Sequence, residues 1–369
     1  MRIVITGGGT GGHLFPALAV HEALMARRPG AAVLFVGAAA GVEATILPRR
    51  GYAFRGLAAS QVSGAGLAGR GRAALRLPGT VLQAARLLRE FRPQAVFGVG
   101  GYASVSTVLA AKLTGIPSVI HEQNAFPGLA NRALGRLASR VAVSFEGTTR
   151  FFPAGRVTVT GSPVRAEIRA GDAGAARERL GLSAGTFTVL IFGGSQGAHR
   201  LNLAVREALP ELAGERDGLQ FVHATGVRDL AEVRQSYAQA GIRARVEPFF
   251  EEMAVAYQAA DFVICRAGAG TVFELAAVGK PALLVPFPYA ANDHQRLNAE
   301  AAVKIGAAWI LLDRHCDGRR LVAGLRVARE TPAQLLEMGG RARALARPDA
   351  ADRILDLLDR VALPASADH

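Results

Sequence analysis

The sequence is poor in cysteine and lysine, and each shortage carries information. The two cysteines, Cys265 and Cys316, have no metal-ligand spacing and are too few for a disulfide framework, which suggests a reducing compartment. Nearly all of the 43 basic residues are arginine, and alanine and glycine are abundant. We therefore attribute the preference for arginine to genome composition, so the choice of arginine over lysine excludes no function.

Long apolar runs and targeting signals are also missing. The longest uncharged apolar stretch, residues 31–42, is well short of the ~20 residues that a membrane-spanning helix needs. A predicted strand begins directly after Met1, with no signal-peptide pattern before it. Half of the 369 residues are hydrophobic and 20% are charged, which suits a large core, and the length suggests two domains. We expect a cytosolic protein without a membrane span.

Strand-like and helix-like segments alternate along the chain in two rounds. The first round predicts strands at residues 2–6, 31–36, 95–99, 118–121 and 157–160, helices at residues 14–28 and 103–113, and two basic helical segments split by Pro78. Residues 161–163 (Gly-Ser-Pro) are a candidate linker, because the residue before proline favours extended backbone. The second round begins with a strand at residues 188–192. This alternation predicts an α/β fold with two doubly wound, Rossmann-like parallel sheets.

A glycine loop follows the first strand of each round. Residues 7–13 read GGGTGGH and residues 193–199 read GGSQGAH, and two such domains facing across a cleft would place both loops at its mouth. The first loop fits the dinucleotide-binding pattern G-x-G-x-x-G. That pattern also needs a carboxylate at the end of the second strand, but here the strand ends at Gly37 and Ala38. Neither loop continues into Gly-Lys-Ser/Thr as a P-loop would, and the sequence has no Asp-x-Asp motif for a metal ion. We expect no cofactor and no metal, and a diphosphate bound by amides, hydroxyls and helix N-termini.

Residues 261–298 form the most informative stretch of the second round. An apolar strand runs into a small-residue turn, and a helical pattern opens at Thr271, so backbone N–H groups and a helix dipole point at one place. Glu274 lies near the start of this helix, where a carboxylate can accept two hydrogen bonds from a ribose diol. A further strand, at residues 281–286, leads to a polar loop with Gln295. The alternative is a tight turn with a solvated glutamate.

Seven motifs then make a family resemblance recognisable. They are GGTGGHLFPALA (8–19), GGYAS (100–104), HEQNAFPGLAN (121–131), GSPVR (161–165), GGSQGA (193–198), CRAGAGTVFELAAVGKPALLVPFP (265–288) and DHQRLNA (293–299). In this order and over nearly the whole chain, the sequence resembles the MurG family of bacterial UDP-N-acetylglucosamine transferases. These enzymes convert lipid I to lipid II in peptidoglycan synthesis.

The resemblance implies a GT-B glycosyltransferase fold and an inverting transfer. Its domains would be an acceptor- and membrane-facing domain at residues 1–162, a UDP-GlcNAc-binding domain at residues 163–345 and a final helix at residues 346–369 that crosses back. An apolar stripe at Ile354, Leu357, Leu358 and Val361 suits that docking. The reaction implied is transfer of GlcNAc from UDP-GlcNAc to the C4 hydroxyl of the muramyl sugar of lipid I.

The resemblance also implies a set of donor-binding residues. By position they are Thr10, Gly11, Gly12, Asn124, Arg165, Ser195, Phe250, Ala269, Gly270, Thr271, Val272, Phe273, Glu274 and Gln295. Phe250 would use its backbone on the uracil edge, Glu274 would bind the ribose hydroxyls, and Gln295 would hold the sugar. Four positions depart from the usual family residue, namely Ser162, His199, Ala267 and Arg296. We exclude His199 from the chemistry, and the departures put one donor-sugar hydrogen bond in doubt.

His13 is the candidate general base. It follows the first glycine loop, and histidine has an intrinsic pKa close to working pH. The alternative is that His13 caps the helix or positions a phosphate.

A basic region with interleaved leucines predicts membrane contact. Between residues 49 and 92 there are nine arginines and one acid, which supplies +8 of the net charge of +13. We name the arginine–leucine patch by its residues Arg70, Arg72, Leu75, Arg76, Leu77, Val81, Leu82, Arg86 and Arg89. On helices these give an apolar face edged with arginine, as expected of an interfacial patch on anionic lipid. Across residues 67–92, which carry the patch, Phe91 is the only aromatic residue available for stacking, so we expect no nucleic-acid partner. The alternative is core leucines beside solvated arginines.

These observations predict a peripheral protein on the cytoplasmic side of the cell membrane. Its partners would be UDP-GlcNAc, lipid I, the anionic membrane surface and, as a further possibility, other cell-wall synthesis proteins. Two other functions remain open from the residues. One is another UDP-sugar enzyme on the same fold, such as a glycolipid glycosyltransferase or a sugar-nucleotide 2-epimerase. The other is a non-catalytic, membrane-attached nucleotide-binding module.

Overall fold

The computed structural model describes residues 1–8, 11–59, 67–169, 171–194 and 196–362, with residues 67–74 described by their backbone only. Two predicted site residues, Thr10 and Ser195, lie outside the described residues. The chain divides into two compact units, one of Met1–Arg165 with Arg347–His369 and one of Ala166–Ala346. Arg165, which we placed in the second domain, lies in the first unit.

The first unit is built on a parallel sheet of seven strands in the order β3-β2-β1-β4-β5-β6-β7. Its strands are β1 (Arg2–Thr6), β2 (Ala32–Ala38), β3 (Phe54–Leu57), β4 (Ala95–Gly98), β5 (Ser118–Glu122), β6 (Arg140–Val143) and β7 (Val157–Val159). Its helices up to residue 134 are α1 (Gly11–Arg27), α2 (Glu43–Arg49), α3 (Leu67–Phe91), α4 (Tyr102–Leu113) and α5 (Leu129–Leu134). Because helices cover both faces, successive residues of β1 such as Ile3, Val4 and Ile5 are all buried.

Helix α3 corrects one prediction from the sequence. We expected Pro78 to split this region into two helices, but α3 runs unbroken across it. Pro78 is exposed, and the adjacent turn is held on the inner side, where the Thr80 hydroxyl donates to the Leu77 carbonyl at 2.9 Å. The same hydroxyl contacts Ser106 of α4 at 2.8 Å. Packing against α4 thus offsets the roughly 3 kcal/mol that proline costs inside a helix.

The second unit repeats the architecture with six parallel strands in the order β10-β9-β8-β11-β12-β13. Its strands are β8 (Phe187–Phe192), β9 (Leu219–Ala224), β10 (Ala244–Glu247), β11 (Phe262–Cys265), β12 (Ala282–Leu284) and β13 (Trp309–Ile310). Its helices are α6 (Ala166–Arg169), α7 (Ala173–Arg179), α8 (His199–Leu212), α9 (Leu230–Ala240), α10 (Met253–Ala259), α11 (Ala269–Val278), α12 (His294–Lys304), α13 (Gly318–Glu330) and α14 (Pro332–Leu345). The predicted pair of Rossmann-like parallel sheets is confirmed.

The last helix, α15 (Ala350–Ala362), packs on the first unit. Ile354, Leu357 and Leu358 are buried in the same core as α1. Arginines at the end of α1 also pair with aspartates of α15, with Arg27 bonding Asp352 at 3.0 Å and Asp356 at 2.7 Å, and Arg28 bonding Asp359 at 2.9 Å. Apolar packing and charge thus act together to hold α15 in place.

Each sheet has a switch point, where the direction of strand order reverses. In the first unit it lies between β1 and β4, and in the second between β8 and β11. Ligands of open α/β sheets bind beyond the carboxyl ends of the strands at such points. The segments that follow these four strands are the two glycine loops, Gly100-Gly101 and the turn at residues 266–268. The topology therefore brings together the motifs within each unit.

Candidate active site

In the first unit, two glycine turns meet at the switch point. The backbone of Gly100 has a φ of +102° and that of Gly101 a φ of +84°, conformations that favour glycine. A Cβ atom on Gly101 would lie 2.7 Å from the carbonyl oxygen of Gly8, and one on Gly100 would lie 2.9 Å from Nε2 of His13. Only glycine leaves space for this approach, so the turn after β4 directly abuts the loop after β1.

His13 lies in the first turn of α1, half-buried, with Nδ1 3.2 Å from the Gly8 carbonyl oxygen. A carbonyl can only accept a hydrogen bond, so this contact places the proton of the neutral ring on Nδ1 and makes Nε2 the basic nitrogen. Gly11 and Gly12 form the preceding residues of the same helix. The geometry therefore suits His13 for proton transfer at Nε2.

A buried polar cluster lies at the end of β5, beside this turn. Burial lowers the pKa of His121 to about 4, although its hydrogen bond to the Gly161 carbonyl acts in the other direction. Burial raises the pKa of Glu122, while hydrogen bonds from Asn124 and Asn131 oppose the rise. Asn124, a predicted donor contact, is thus held by its backbone and its side chain against the Glu122 carboxylate. The cluster keeps a neutral histidine and a tethered loop at the end of β5.

Arg165 is almost fully buried, at 6% exposure. Its guanidinium carbon lies 4.3 Å from the ring centroid of Phe15 on α1, a cation–π arrangement. Arg165 therefore lies against the helix that carries His13.

Glu43 is a residue that the sequence reasoning missed. The sequence has no carboxylate at the end of β2, but the chain turns after Ala38, and Glu43, the first residue of α2, returns to the same place. Its carboxylate is fully buried and accepts the N–H of Ala38 at 2.9 Å. A Cβ on Gly8 would lie 2.2 Å from the carboxyl carbon, so Glu43 lies against the first glycine loop. The glycines at 37 and 41, which also abut this carboxylate, were the available sequence signal.

In the second unit, the start of α11 lies at the switch point without a side-chain cap. Its first i→i−4 bond runs from the Val272 N–H to the Gly268 carbonyl at 3.0 Å. The N–H groups of Ala269, Gly270 and Thr271 therefore precede the hydrogen-bonded part of the helix and point outward from its end. Such a helix start binds phosphate groups readily.

The predicted donor-binding run from Ala269 to Glu274 divides into two groups. Val272 and Phe273 are 3% and 1% exposed, and both pack in the interior of the second unit. Glu274 is half-buried, and its Oε2 accepts the hydroxyl of Tyr257 at 2.9 Å. The helix-start amides and the Glu274 carboxylate are therefore polar groups that the run offers to a ligand.

Gln295 is fixed by its side-chain oxygen. Oε1 accepts the N–H of Ala267 at 3.2 Å and that of Phe287 at 3.0 Å, which joins the turn after β11 to the loop after β12. No described residue accepts from its Nε2, so the amide nitrogen is the group left for a ligand. The preceding residues Asn292 and Asp293 both adopt a φ of +54°, uncommon for residues other than glycine. Arg296 pairs with Asp293 and Glu300 at the helix start.

Phe250 and the second glycine loop complete the ends of the second sheet. The Phe250 side chain is buried, so any ligand contact would use its backbone, as the resemblance implies. The residue that follows this glycine loop, His199, bonds Asp229 at 2.9 Å. Burial alone would raise the pKa of Asp229, but hydrogen bonds from Asn202 and His199 lower it.

The arginine–leucine patch lies on α3, and the structure exposes part of it. Leu75 is 83% exposed and Leu82 is 51% exposed, whereas Leu77 and Val81 are half-buried. The exposed arginines with described side chains are Arg76, Arg86 and Arg89. The side chains of Arg70 and Arg72 lie outside the described set. Across the described ranges, no helix is long and apolar enough to cross a bilayer.

The chain is similar in sequence to known glycosyltransferases along nearly all of its length. Residues 3–143 match the glycosyltransferase family 28 N-terminal domain, and residues 188–354 match the glycosyltransferase family 28 C-terminal domain. The UDP-N-acetylglucosamine--N-acetylmuramyl-(pentapeptide) pyrophosphoryl-undecaprenol N-acetylglucosamine transferase of Geobacter sp. (strain M21) is 47% identical over 96% of this chain and 95% of its own. The transferase of the same name from Geotalea uraniireducens is 45% identical over 98% of both chains.

Solved structures agree with the sequence relatives. The crystal structure of Acinetobacter baumannii MurG superposes with a TM-score of 0.77 and 32% identity, covering 97% of this chain and 99% of that one. The S. aureus MnaA–UDP structure has a TM-score of 0.70 at 13% identity, over 97% of this chain and 96% of that one, and shares the fold alone. The chain therefore belongs to glycosyltransferase family 28 and, within it, to the MurG transferases.

Proposed function

We propose that this protein transfers N-acetylglucosamine from UDP-N-acetylglucosamine to the C4 hydroxyl of the muramyl sugar of lipid I, forming lipid II. The observation that carries the proposal is the start of α11, where uncapped amides and the Glu274 carboxylate lie at a switch point. These two groups match the diphosphate and the ribose of a nucleotide sugar. Family membership and the names of the relatives supply the donor and the acceptor.

The second unit binds the donor in this proposal. Amides of Ala269, Gly270 and Thr271 hold the diphosphate, and Glu274 accepts hydrogen bonds from the ribose hydroxyls. The Nε2 group of Gln295 donates to the sugar, and the backbone of Phe250 contacts the uracil edge. As the bond between the sugar C1 and the UDP oxygen breaks, its electron pair stays on UDP. The helix start stabilises that negative charge without a metal ion.

The first unit supplies the base. His13 Nε2 takes the proton of the acceptor hydroxyl while its oxygen forms the new bond to C1, so the configuration at C1 inverts. Support comes from the Gly8 contact, which leaves Nε2 as the basic nitrogen. Glycine at position 100 leaves room for the ring in this position, since a Cβ there would lie 2.9 Å from Nε2. The remaining predicted contacts, Gly11, Gly12, Asn124 and Arg165, lie around the same turn or against α1 and would orient the substrates.

We place the protein at the cytoplasmic surface of the membrane through α3. Lipid I carries its sugar on a polyprenyl diphosphate, so a protein that uses it must work at a bilayer. Exposed Leu75 and Leu82 can enter the interfacial region, and Arg76, Arg86 and Arg89 can pair with anionic headgroups. Each such arginine contributes ~1 kcal/mol, which suffices for reversible attachment.

Incubation with UDP-GlcNAc and a short-chain lipid I analogue tests the function. Mass spectrometry is expected to show lipid II and UDP in equal amounts. A different glycolipid product or an epimerised donor would replace the proposal with one of the other UDP-sugar enzymes. Nucleotide binding without turnover of any acceptor would indicate a binding module.

A further inference from the structure

The buried tyrosine on α10 contacts the carboxylate that we assign to the donor. Tyr257 is fully buried and ranks first by volume among the fully buried side chains of the described residues. Its hydroxyl donates to Glu274 Oε2 at 2.9 Å. We propose that Tyr257 is a positioning residue, whose hydroxyl orients the Glu274 carboxylate toward the ribose hydroxyls of the nucleotide. This inference rests on the proposed function and adds a residue that does not touch the ligand.

The surroundings of Tyr257 leave its ring little freedom. Its ring meets Phe192 edge-on at 5.9 Å between centroids, and Phe192 is the last residue of β8 before the second glycine loop. The helix that carries it packs against α11 and against β8. A rigid ring therefore presents its hydroxyl at a fixed point, and the point is Oε2 of Glu274.

A fixed hydrogen-bond donor favours one orientation of the Glu274 carboxylate. Glutamate has three rotatable side-chain bonds, and binding must restrict them at a cost in conformational entropy. A carboxylate offers about four acceptor sites, and the Tyr257 hydroxyl takes one of them. The Glu274 charge also lies close to the core. The pKa of the buried Cys265 thiol is raised first by its own burial and second by the negative charge of Glu274. A hydrogen bond from a buried hydroxyl both stabilises this charge and selects one orientation.

A positioning role for Tyr257 predicts a result that a purely structural role does not. If Tyr257 acts through Glu274 on the ribose, its hydroxyl matters only for ligands that carry ribose hydroxyls. The substitution Tyr257→Phe keeps the ring and its packing and removes the one donor. We measure binding of UDP and of 2′,3′-dideoxy-UDP by calorimetry, and donor KM and kcat with a lipid I analogue.

We expect Tyr257→Phe to weaken UDP binding and raise the donor KM about fivefold to tenfold, the effect of one such hydrogen bond. Binding of 2′,3′-dideoxy-UDP and kcat should stay within about twofold of the parent values. Adding Tyr257→Phe to a Glu274→Ala background should have no further effect on UDP affinity, because the two residues act as one unit. The matched control is Tyr237→Phe, another buried tyrosine of the second unit, whose hydroxyl contacts His223 at 3.3 Å. This control should leave both nucleotide affinities unchanged.

The outcomes separate this inference from the function on which it rests. Equal weakening of UDP and dideoxy-UDP by Tyr257→Phe would mean a loosened fold and would overturn the positioning role. Unchanged UDP binding by Tyr257→Phe, together with weakened binding by Glu274→Ala, would overturn it as well and leave the donor site intact. Unchanged UDP binding by a folded Glu274→Ala variant would instead refute the donor site itself.

Discussion

The substitution Gly100→Ala tests the assignment of His13 as base without altering His13. The added Cβ would lie 2.9 Å from Nε2 and 3.0 Å from Cδ2 of the His13 ring. Unstrained contacts between such atoms are about 3.5–4.0 Å, so the ring must move by roughly half an ångström or more. Proton transfer needs a heavy-atom distance of about 2.6–3.2 Å, and a misplacement of about 1 Å can cost 10²-fold in rate.

We therefore expect Gly100→Ala to lower kcat about 10²-fold, similar to His13→Ala, with donor KM within about twofold. The residue also has a φ of +102°, which costs alanine about 1–3 kcal/mol of stability. Steady-state kinetics with a lipid I analogue measure the first effect, and urea denaturation measures the second. Temperature and protein concentration are chosen so that the variant remains folded.

The control separates backbone strain from contact with the ring. Gly51 has a φ of +78°, and a Cβ there would meet nothing within 4 Å. Gly51→Ala should lose similar stability and keep the parent kcat. A folded Gly100→Ala variant with normal kcat would refute the placement of the base at His13. An equal loss of kcat in Gly51→Ala would show that strain alone is responsible.

Three further predictions follow from the same geometry. Glu274→Ala should raise the donor KM roughly tenfold to a hundredfold, since hydrogen bonds to a charged group are worth ~1.5–3 kcal/mol each. The activity of the parent enzyme should persist in EDTA. Inhibition by EDTA that added Mg²⁺ reverses would contradict the metal-free step. Changing Arg76, Arg86 and Arg89 together to glutamate should abolish co-sedimentation with anionic vesicles. The matched control is the same change at the exposed Arg216, Arg243 and Arg319 of the second unit, which should leave co-sedimentation intact. Equal binding by the two variants would place the membrane contact elsewhere. His121 should contribute about 3 kcal/mol to the stability lost as pH drops from 6.5 toward 4, because burial lowers its pKa to about 4 and only the unfolded chain takes up that proton in this window. His223 should add a loss of the same sign, since burial lowers its pKa to about 3. Urea denaturation at several pH values measures this effect, and His121→Gln should reduce the dependence of the unfolding free energy on pH. An unchanged dependence in that variant would assign the effect to other groups.

The sequence alone determined the fold class and the family. Alternating apolar segments and helical patterns predicted two parallel sheets, because strands buried on both faces and amphipathic helices have different periods. Motifs such as GGSQGA and HEQNAFPGLAN identified the family, and the relatives found by sequence and by structure confirmed it. The glycine loops were predictable for a local reason, since a turn with a positive φ strongly favours glycine.

Tertiary structure alone decided which side chains support the site. Glu43 reaches the first glycine loop only because the chain turns back between β2 and α2, and Tyr257 meets Glu274 only because α10 packs on α11. Pro78 is tolerated in α3 because Thr80 and Ser106 hold the inner side of the helix. Val272 and Phe273 belong to a binding motif by sequence, yet the helix turns both into the core. Sequence patterns record which backbone conformation each residue favours, while contacts between residues far apart in the chain depend on how whole elements pack.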